Sequence, residues 1–158
     1  MKNDLTAWLQ GGALQNSDPA HTLQAVNDRT AALGLCLTQG EALALAQGRT
    51  AALIQTGRLE IGPGVLPALA DAFADSPYTA PRHWAADLLR LQEIFYAAKN
   101  ETQDALADDE LLRALRRLWD GPCGGDLDAL AAVQAQQLWA AARCAAARPW
   151  QQEVEEDE

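Results

Sequence analysis

Apolar residues recur every three or four positions along most of the chain, which is the spacing of one face of an α-helix. The clearest stripe contains Trp84, Leu88, Leu91, Phe95 and Ala98. Stripes of the same period precede and follow it. The pattern predicts about six helices, over residues 19–33, 39–56, 66–73, 80–100, 108–119 and 127–147.

Polar residues mark where several of these helices begin. Asp18 precedes a proline, the order of an N-cap followed by the first helical residue. Thr38 and Glu41 have the spacing of a capping box at the start of the second helix. Thr79 is the expected cap of the fourth helix. Glycines end the first two helices, so the fold class expected is all-α.

Composition agrees with one helical domain. The chain has 158 residues, enough for one well-packed core, and 49% of them are hydrophobic while 22% are charged. Alanine and leucine dominate, and both favour helix. We expect an N-terminal arm at 1–17, a compact helical bundle at 18–148 and a disordered acidic tail at 149–158.

The charge distribution disfavours several partners. Five of the 22 acidic residues lie in the last six positions, and removing their charge from the net of −10 leaves −5. No basic cluster exceeds Arg113, Arg116 and Arg117, so nucleic-acid binding and anionic membrane binding are disfavoured. The chain shows no signal-peptide apolar region and no stretch long enough to cross a bilayer, so we expect a cytoplasmic protein.

Cysteines and histidines give little support for metal or redox chemistry. Three separated cysteines and two histidines do not have zinc spacing, so we expect reduced thiols, no metal and no cofactor. Cys36 and Cys144 are expected to be buried as small hydrophobic residues. Cys123 lies near a helix start, but the neighbouring Asp126 disfavours its thiolate, which favours an ordinary loop cysteine.

The acidic segment KNETQDALADDEL, residues 99–111, is expected to be the joint between two helices. One apolar face ends at Ala98 and a new one begins at Leu111. Acidic residues suit the start of a helix, because they complement its dipole. The segment lacks the ligand spacing and the central glycine of a calcium loop, and its Asn-x-Thr sequon is idle without secretion.

The main candidate binding site is a set of polar residues on loops and on the long helix. Its members are Arg58 and Glu60 in the glycine-rich segment, Asp75 and Tyr78 in DSPY, and Glu93 in the fourth helix. Polar groups on loops that a rigid frame holds often form sites. The alternative, which we favour, is that these residues lock turns and helix ends.

A histidine–aspartate pair and the tryptophans each have more than one interpretation. His83 and Asp87, four apart on one helix, could ligate a metal or form an acid–base pair, but an exposed histidine near a helix start is favoured. Trp84 and Trp119 lie on apolar stripes and are expected in the core. Trp139 and Trp150 could each anchor a partner or fold back on the domain.

Four motifs occur along the chain in this order: TGRLEIGPGVLPALADAFADSPY, LQEIFYAAKNE, DDELL and DGPCGG. In this respect the chain resembles a bacterial family of small helical proteins of unknown function. The resemblance covers roughly residues 35–135. It implies a single cytoplasmic helical domain from a bacterium, and it supplies no activity.

These observations favour a protein-interaction or accessory module without catalysis, with a protein partner or a homodimer as the assembly. The alternative is a small-ligand protein or an enzyme that uses the loop set, which requires Arg58, Glu60, Asp75, Tyr78 and Glu93 to converge on one pocket. A third possibility, an acidic mimic of nucleic acid, requires carboxylates along one face of the folded part, and the concentration of acids in the tail argues against it.

Overall fold

The structure, a computed structural model, describes residues 19–60 and 64–144, and within these ranges the regular structure is helical with no strand. The all-α fold class is confirmed. The predicted arm and the last ten residues lie outside the described ranges. The helices are α1 (Pro19–Thr30, continued by a 3-10 turn at Ala31–Leu33), α2 (Gln39–Gln55), α3 (Leu66–Phe73), α4 (Trp84–Glu101, preceded by a 3-10 turn at Pro81–His83), α5 (Asp108–Asp120), α6 (Leu127–Ala131) and α7 (135–144).

The predicted sixth helix is two helices, α6 and α7, in the part of the chain that the structure describes. The helix ends at Ala131, and the backbone N–H of Gln134 donates to Oε1 of Gln137 at 2.9 Å, which starts the next helix. Leu130 and Leu138, on either side of the break, are both buried. The apolar spacing continues across the break, so the sequence pattern did not reveal it.

The predicted helix ends are right in one case and wrong in another. Thr38 accepts a hydrogen bond from the N–H of Glu41 at 3.1 Å, and Glu41 Oε1 accepts from the N–H of Thr38 at 2.9 Å, which is the predicted capping box. Thr79 does not cap the fourth helix. Its hydroxyl donates to the carbonyl of Phe73 at 2.7 Å and so closes the end of α3.

Helix α4 lies at the centre of the fold and packs against α2, α3, α5 and α6. Trp84 at its start and Trp119 on α5 are each only 1% exposed, as the stripes predicted. Contact with α2 is close because Gly48 of α2 lies against Leu89 of α4. The buried Gln92 fixes the same pair of helices, since its Nε2 donates to the carbonyl of Leu45 at 2.9 Å.

None of the described helices combines the length and the apolarity that a membrane span requires. The longest of them, α4, has 18 residues and carries charges along its length.

The prediction for two of the cysteines is wrong. Cys36 and Cys144 are exposed, while the buried positions beside them are taken by Leu35 and Leu37 and by Ala141 and Ala142. Cys123 is half-buried, and burial, followed by the Asp126 carboxylate, raises the pKa of its thiol. The raised pKa agrees with the prediction of an ordinary loop cysteine.

Candidate functional site

A buried polar group joins the glycine-rich segment to the core. Arg49 of α2 is 3% exposed, and its Nη2 donates to Oε1 of Glu60 at 3.1 Å. The hydroxyl of Tyr96, on α4, donates to the same carboxylate oxygen at 2.8 Å. Burial, and then the negative charge of Glu60, raises the pKa of Tyr96. Glu60 therefore binds two buried donors, one from α2 and one from α4.

Gly64 explains why the loop needs glycine at this point. A Cβ atom there would lie 2.6 Å from Nε of Arg49, closer than a Cβ atom approaches another side chain, and φ of Gly64 is +74°. The backbone thus lies directly on the guanidinium. We interpret Arg49, Glu60 and Tyr96 as a fastening for the loop, which is the structural role favoured from the sequence.

Arg58 points to the far end of α4 instead. Its guanidinium donates to Asn100 and to Asp104, and it holds the pKa of Asp104 below the ordinary value. Asn100 in turn donates from Nδ2 to the carbonyl of Thr56 at 2.8 Å. These bonds tie the end of α2 to the end of α4, and they use the side chain of the sequon asparagine.

The acidic joint after α4 has the predicted role. Asp104 pairs with Arg58, and Asp108 pairs with Lys99 at 2.7 Å. Glu110 Oε1 accepts from the N–H of Ala107 at 3.2 Å and so caps the start of α5. The carboxylates between the two helices serve ion pairs and a helix cap.

Asp75 and Tyr78 lie beside α5. Arg116 donates to Asp75 at 2.6 Å and to the carbonyl of Ala72 at 2.6 Å, and it also pairs with Asp120. The hydrogen bond from Arg116 holds the pKa of Asp75 below its ordinary value. A Cβ atom on Gly125 would lie 2.5 Å from Cγ of Tyr78, so the tyrosine ring rests on the glycine backbone.

Glu93 is exposed and pairs with Arg90 at 3.4 Å, and Arg90 also reaches Asp128 at 3.4 Å. Glu93 borders an open groove of about 510 Å³ between α2, α4, α6 and α7. Its lining includes the buried apolar residues Ile94 and Leu138. Among the five predicted site residues, Glu93 alone belongs to the lining of this groove.

The five predicted residues thus do not share one set of neighbours. Arg58 and Glu60 lie along α4, Asp75 and Tyr78 lie against Arg116 and the loop after α5, and Glu93 borders the groove. A shared ligand for all five remains a prediction.

The outer side of α2 is a surface that the sequence analysis did not single out. We call it the uncharged face of α2, and its residues are Gly40, Leu43, Ala44, Gln47, Ala51 and Ile54. Leu43 is 50% exposed and Ile54 is 76% exposed. Leu59, four residues past the end of the helix, is 88% exposed.

No charge interrupts this face. Helix α2 has 17 residues and two charged ones, Glu41 and Arg49. Glu41 is engaged in the capping box and Arg49 is buried against Glu60. The outer side of α5, by comparison, carries Asp109 and Arg113. The signal was present in the sequence, since one charge in the sixteen residues between Glu41 and Arg58 is unusual for a surface helix.

A protein-family model matches residues 22–148, and its description is "Family of unknown function (DUF6323)". The match covers most of the 158 residues and confirms the expected uncharacterised family. No curated protein and no solved structure matches the chain.

Proposed function

The chain belongs to DUF6323, a family of unknown function, and we propose from its exposed surface that it is a protein-interaction module, without catalysis, of the bacterial cytoplasm. The uncharged face of α2 is the binding surface. The observation that carries the proposal is the exposure of Leu43 and Ile54 on a helix side without charge.

Physical reasons support a protein partner for this face. Solvent-facing helix sides of globular proteins are normally polar or charged, and a contiguous apolar side marks an interaction surface. Burying a side chain such as Ile54 stabilises a complex by roughly 1.5–3 kcal/mol. Helix α2 is held firmly from behind by α4, through Gln92 and the Arg49–Glu60–Tyr96 group, so the face is presented as a rigid surface.

The polar residues support the same proposal, because they have structural partners. Glu60 holds Arg49 and Tyr96, and Asp75 holds Arg116. Arg58 joins two helix ends. Each of these side chains therefore has a role in holding the fold.

Photo-crosslinking in the native host tests the proposal. A photoreactive amino acid replaces Gln47 at the centre of the face, and the same amino acid replaces Arg113 on α5 as the control. We expect a covalent adduct with a protein chain from position 47 and none from position 113. The change Ile54→Glu, in the variant that carries the probe at 47, should remove the adduct. Equal adducts from both positions, or none from position 47, would contradict the proposal.

A further inference from the structure

We infer that the occupant of the uncharged face of α2 is a second copy of this chain, packed antiparallel through α2 about a two-fold axis near Gln47. The inference rests on the proposed function, because it names the partner of the same surface.

The spacing along the face suits a second helix. Gly40, Gln47 and Ile54 follow each other at intervals of seven residues, and Ala44 and Ala51 lie between them. Two contacts in each seven residues is the repeat of a helix-to-helix seam, with an average spacing of 3.5. The seam lies opposite the buried side of α2, which includes Leu45 and Ala52 and faces the core. Helix α2 therefore has an inner contact within the domain and an outer one that no described element covers.

The seam is complementary to its own reverse. When a second α2 runs in the opposite direction with Gln47 opposite Gln47, Gly40 lies opposite Ile54, Leu43 lies opposite Ala51 and Ala44 lies opposite Thr50. A larger side chain meets a smaller one at each of these levels, and such alternation lets two helices interdigitate. Small residues also allow the two helix axes to come as close as about 8 Å. A face that matches its own reverse is what a two-fold dimer requires.

The distribution of charge favours this face over the rest of the surface as the place where two copies associate. Each chain carries a net charge of −10, so two copies repel one another over most of their surface. The uncharged face removes like charges from the contact. An antiparallel arrangement also places the positive end of each helix dipole beside the negative end of its partner's. Gln47, the polar residue at the centre of the seam, can hydrogen-bond its counterpart and fix the register.

A contact through one helix from each copy is smaller than a standard protein interface. Such interfaces bind weakly, so we expect dissociation in the range of roughly 1 to 100 μM. The monomer–dimer equilibrium should therefore be visible in solution over ordinary laboratory concentrations.

Sedimentation equilibrium of the full chain tests the dimer. We expect the mass to rise from monomer to dimer with concentration, and Ala51→Glu to weaken the association by at least about tenfold, since it buries a charge on each side of the contact. The matched control is Ala97→Glu, at an exposed alanine of α4 that borders the groove and not the seam. Circular dichroism should show that both variants keep their helices. A wild-type chain that stays monomeric up to about 1 mM, well above that range, would overturn the inference.

Disulfide trapping tests the register. In a background with serine at Cys36, Cys123 and Cys144, a chain with Gln47→Cys should link to itself on oxidation, because a two-fold axis brings the two sulfurs together. A chain with Gly40→Cys should not link to itself, but it should link to a separate chain with Ile54→Cys. Self-linkage at position 40 would indicate a parallel pair and overturn the antiparallel arrangement.

The crosslinking experiment at position 47 separates this inference from the proposed function. An adduct with the mass of two copies supports both. An adduct with a different protein, from a chain that remains monomeric, overturns the second copy and leaves the interaction module standing. An adduct with the mass of one copy means that another segment of the same chain covers the face, and it overturns both.

Discussion

The guanidinium of Arg49 lies in the core, where a charge is tolerated only beside an opposite charge. Glu60 provides that charge and accepts a second hydrogen bond from Tyr96. We predict that Glu60→Gln lowers the free energy of unfolding by about 2 kcal/mol, because it neutralises a partly buried ion pair and keeps the shape of the side chain. Urea denaturation at neutral pH measures the change.

The matched control is Glu93→Gln. Glu93 makes the same kind of ion pair with Arg90, but at 3.4 Å and with 46% of its side chain exposed. An exposed pair contributes little, so the control should change the free energy of unfolding by less than about 0.5 kcal/mol. Equal losses in the two variants would show that Glu60 does not fasten the loop.

The hydroxyl of Tyr96 gives a pH test of the same group. Burial and the Glu60 carboxylate raise its pKa in the folded protein above the ordinary value of 10.0. The unfolded chain releases the proton near the ordinary value while the folded chain retains it. Stability from this residue is thus complete below pH 10.0 and is lost as pH rises through and above it.

We therefore predict that Tyr96→Phe flattens the fall in stability between about pH 9 and about pH 11. At neutral pH the variant should lose roughly 1 kcal/mol, the cost of the hydrogen bond to Glu60. Thermal unfolding at a series of pH values gives both effects. If the stabilities of the wild type and the variant fall in parallel as pH rises, the pKa of Tyr96 is not raised by folding.

At the scale of the elements, helix ends formed by residues close in sequence could be predicted, and those that depend on contacts between helices could not. The Thr38–Glu41 capping box was readable because its two partners lie three residues apart. Thr79 has the right chemistry for a cap, but it serves the preceding helix through the carbonyl of Phe73. The break between α6 and α7 was hidden because the buried Leu130 and Leu138 keep one apolar stripe across it.

The candidate site was harder to predict than the fold. Arg58 and Glu60 are two residues apart in sequence but point to different partners, Asp104 and Tyr96, which the sequence cannot specify. The polarity of the exposed helix faces can be predicted from the sequence more directly than the partners of these side chains. The absence of charge on the outer side of α2 follows from the helical spacing, which places Arg49, the one charge between Glu41 and Arg58, on the side opposite Gln47.

Arg116 joins α5 to the end of α3, and its three acceptors make a prediction for this pair of elements. Its planar guanidinium donates to Asp75, to Asp120 and to the carbonyl of Ala72. Lysine keeps the charge but cannot supply the same fork of donors. We predict that Arg116→Lys lowers the free energy of unfolding by about 1–2 kcal/mol. The control, Arg117→Lys at the next position of α5, should stay within about 0.5 kcal/mol. If Arg116→Lys leaves the free energy of unfolding unchanged, the hydrogen bonds of Arg116 contribute no net stability.

Over the whole molecule, the net charge of −10 acts against any self-association. Five of the negative charges lie in the last six residues, so the tail is a large part of the repulsion between two copies. A dimer through the uncharged face of α2 gains nothing from ion pairs across the contact. Its dependence on ionic strength is therefore set by the repulsion between the copies alone.

Raising the salt concentration should consequently strengthen the dimer. Screening shortens the reach of the repulsion, from a Debye length of about 14 Å near 50 mM to about 4 Å near 500 mM, and leaves apolar contact intact. We predict that the dissociation constant falls by about threefold over this range, measured by sedimentation equilibrium. A full-length variant with amides in place of the five tail acids should associate more tightly at low salt and respond less to salt. A dimer that weakens with salt would instead be held by ion pairs, which the uncharged face cannot supply, and its interface would have to lie elsewhere on the molecule.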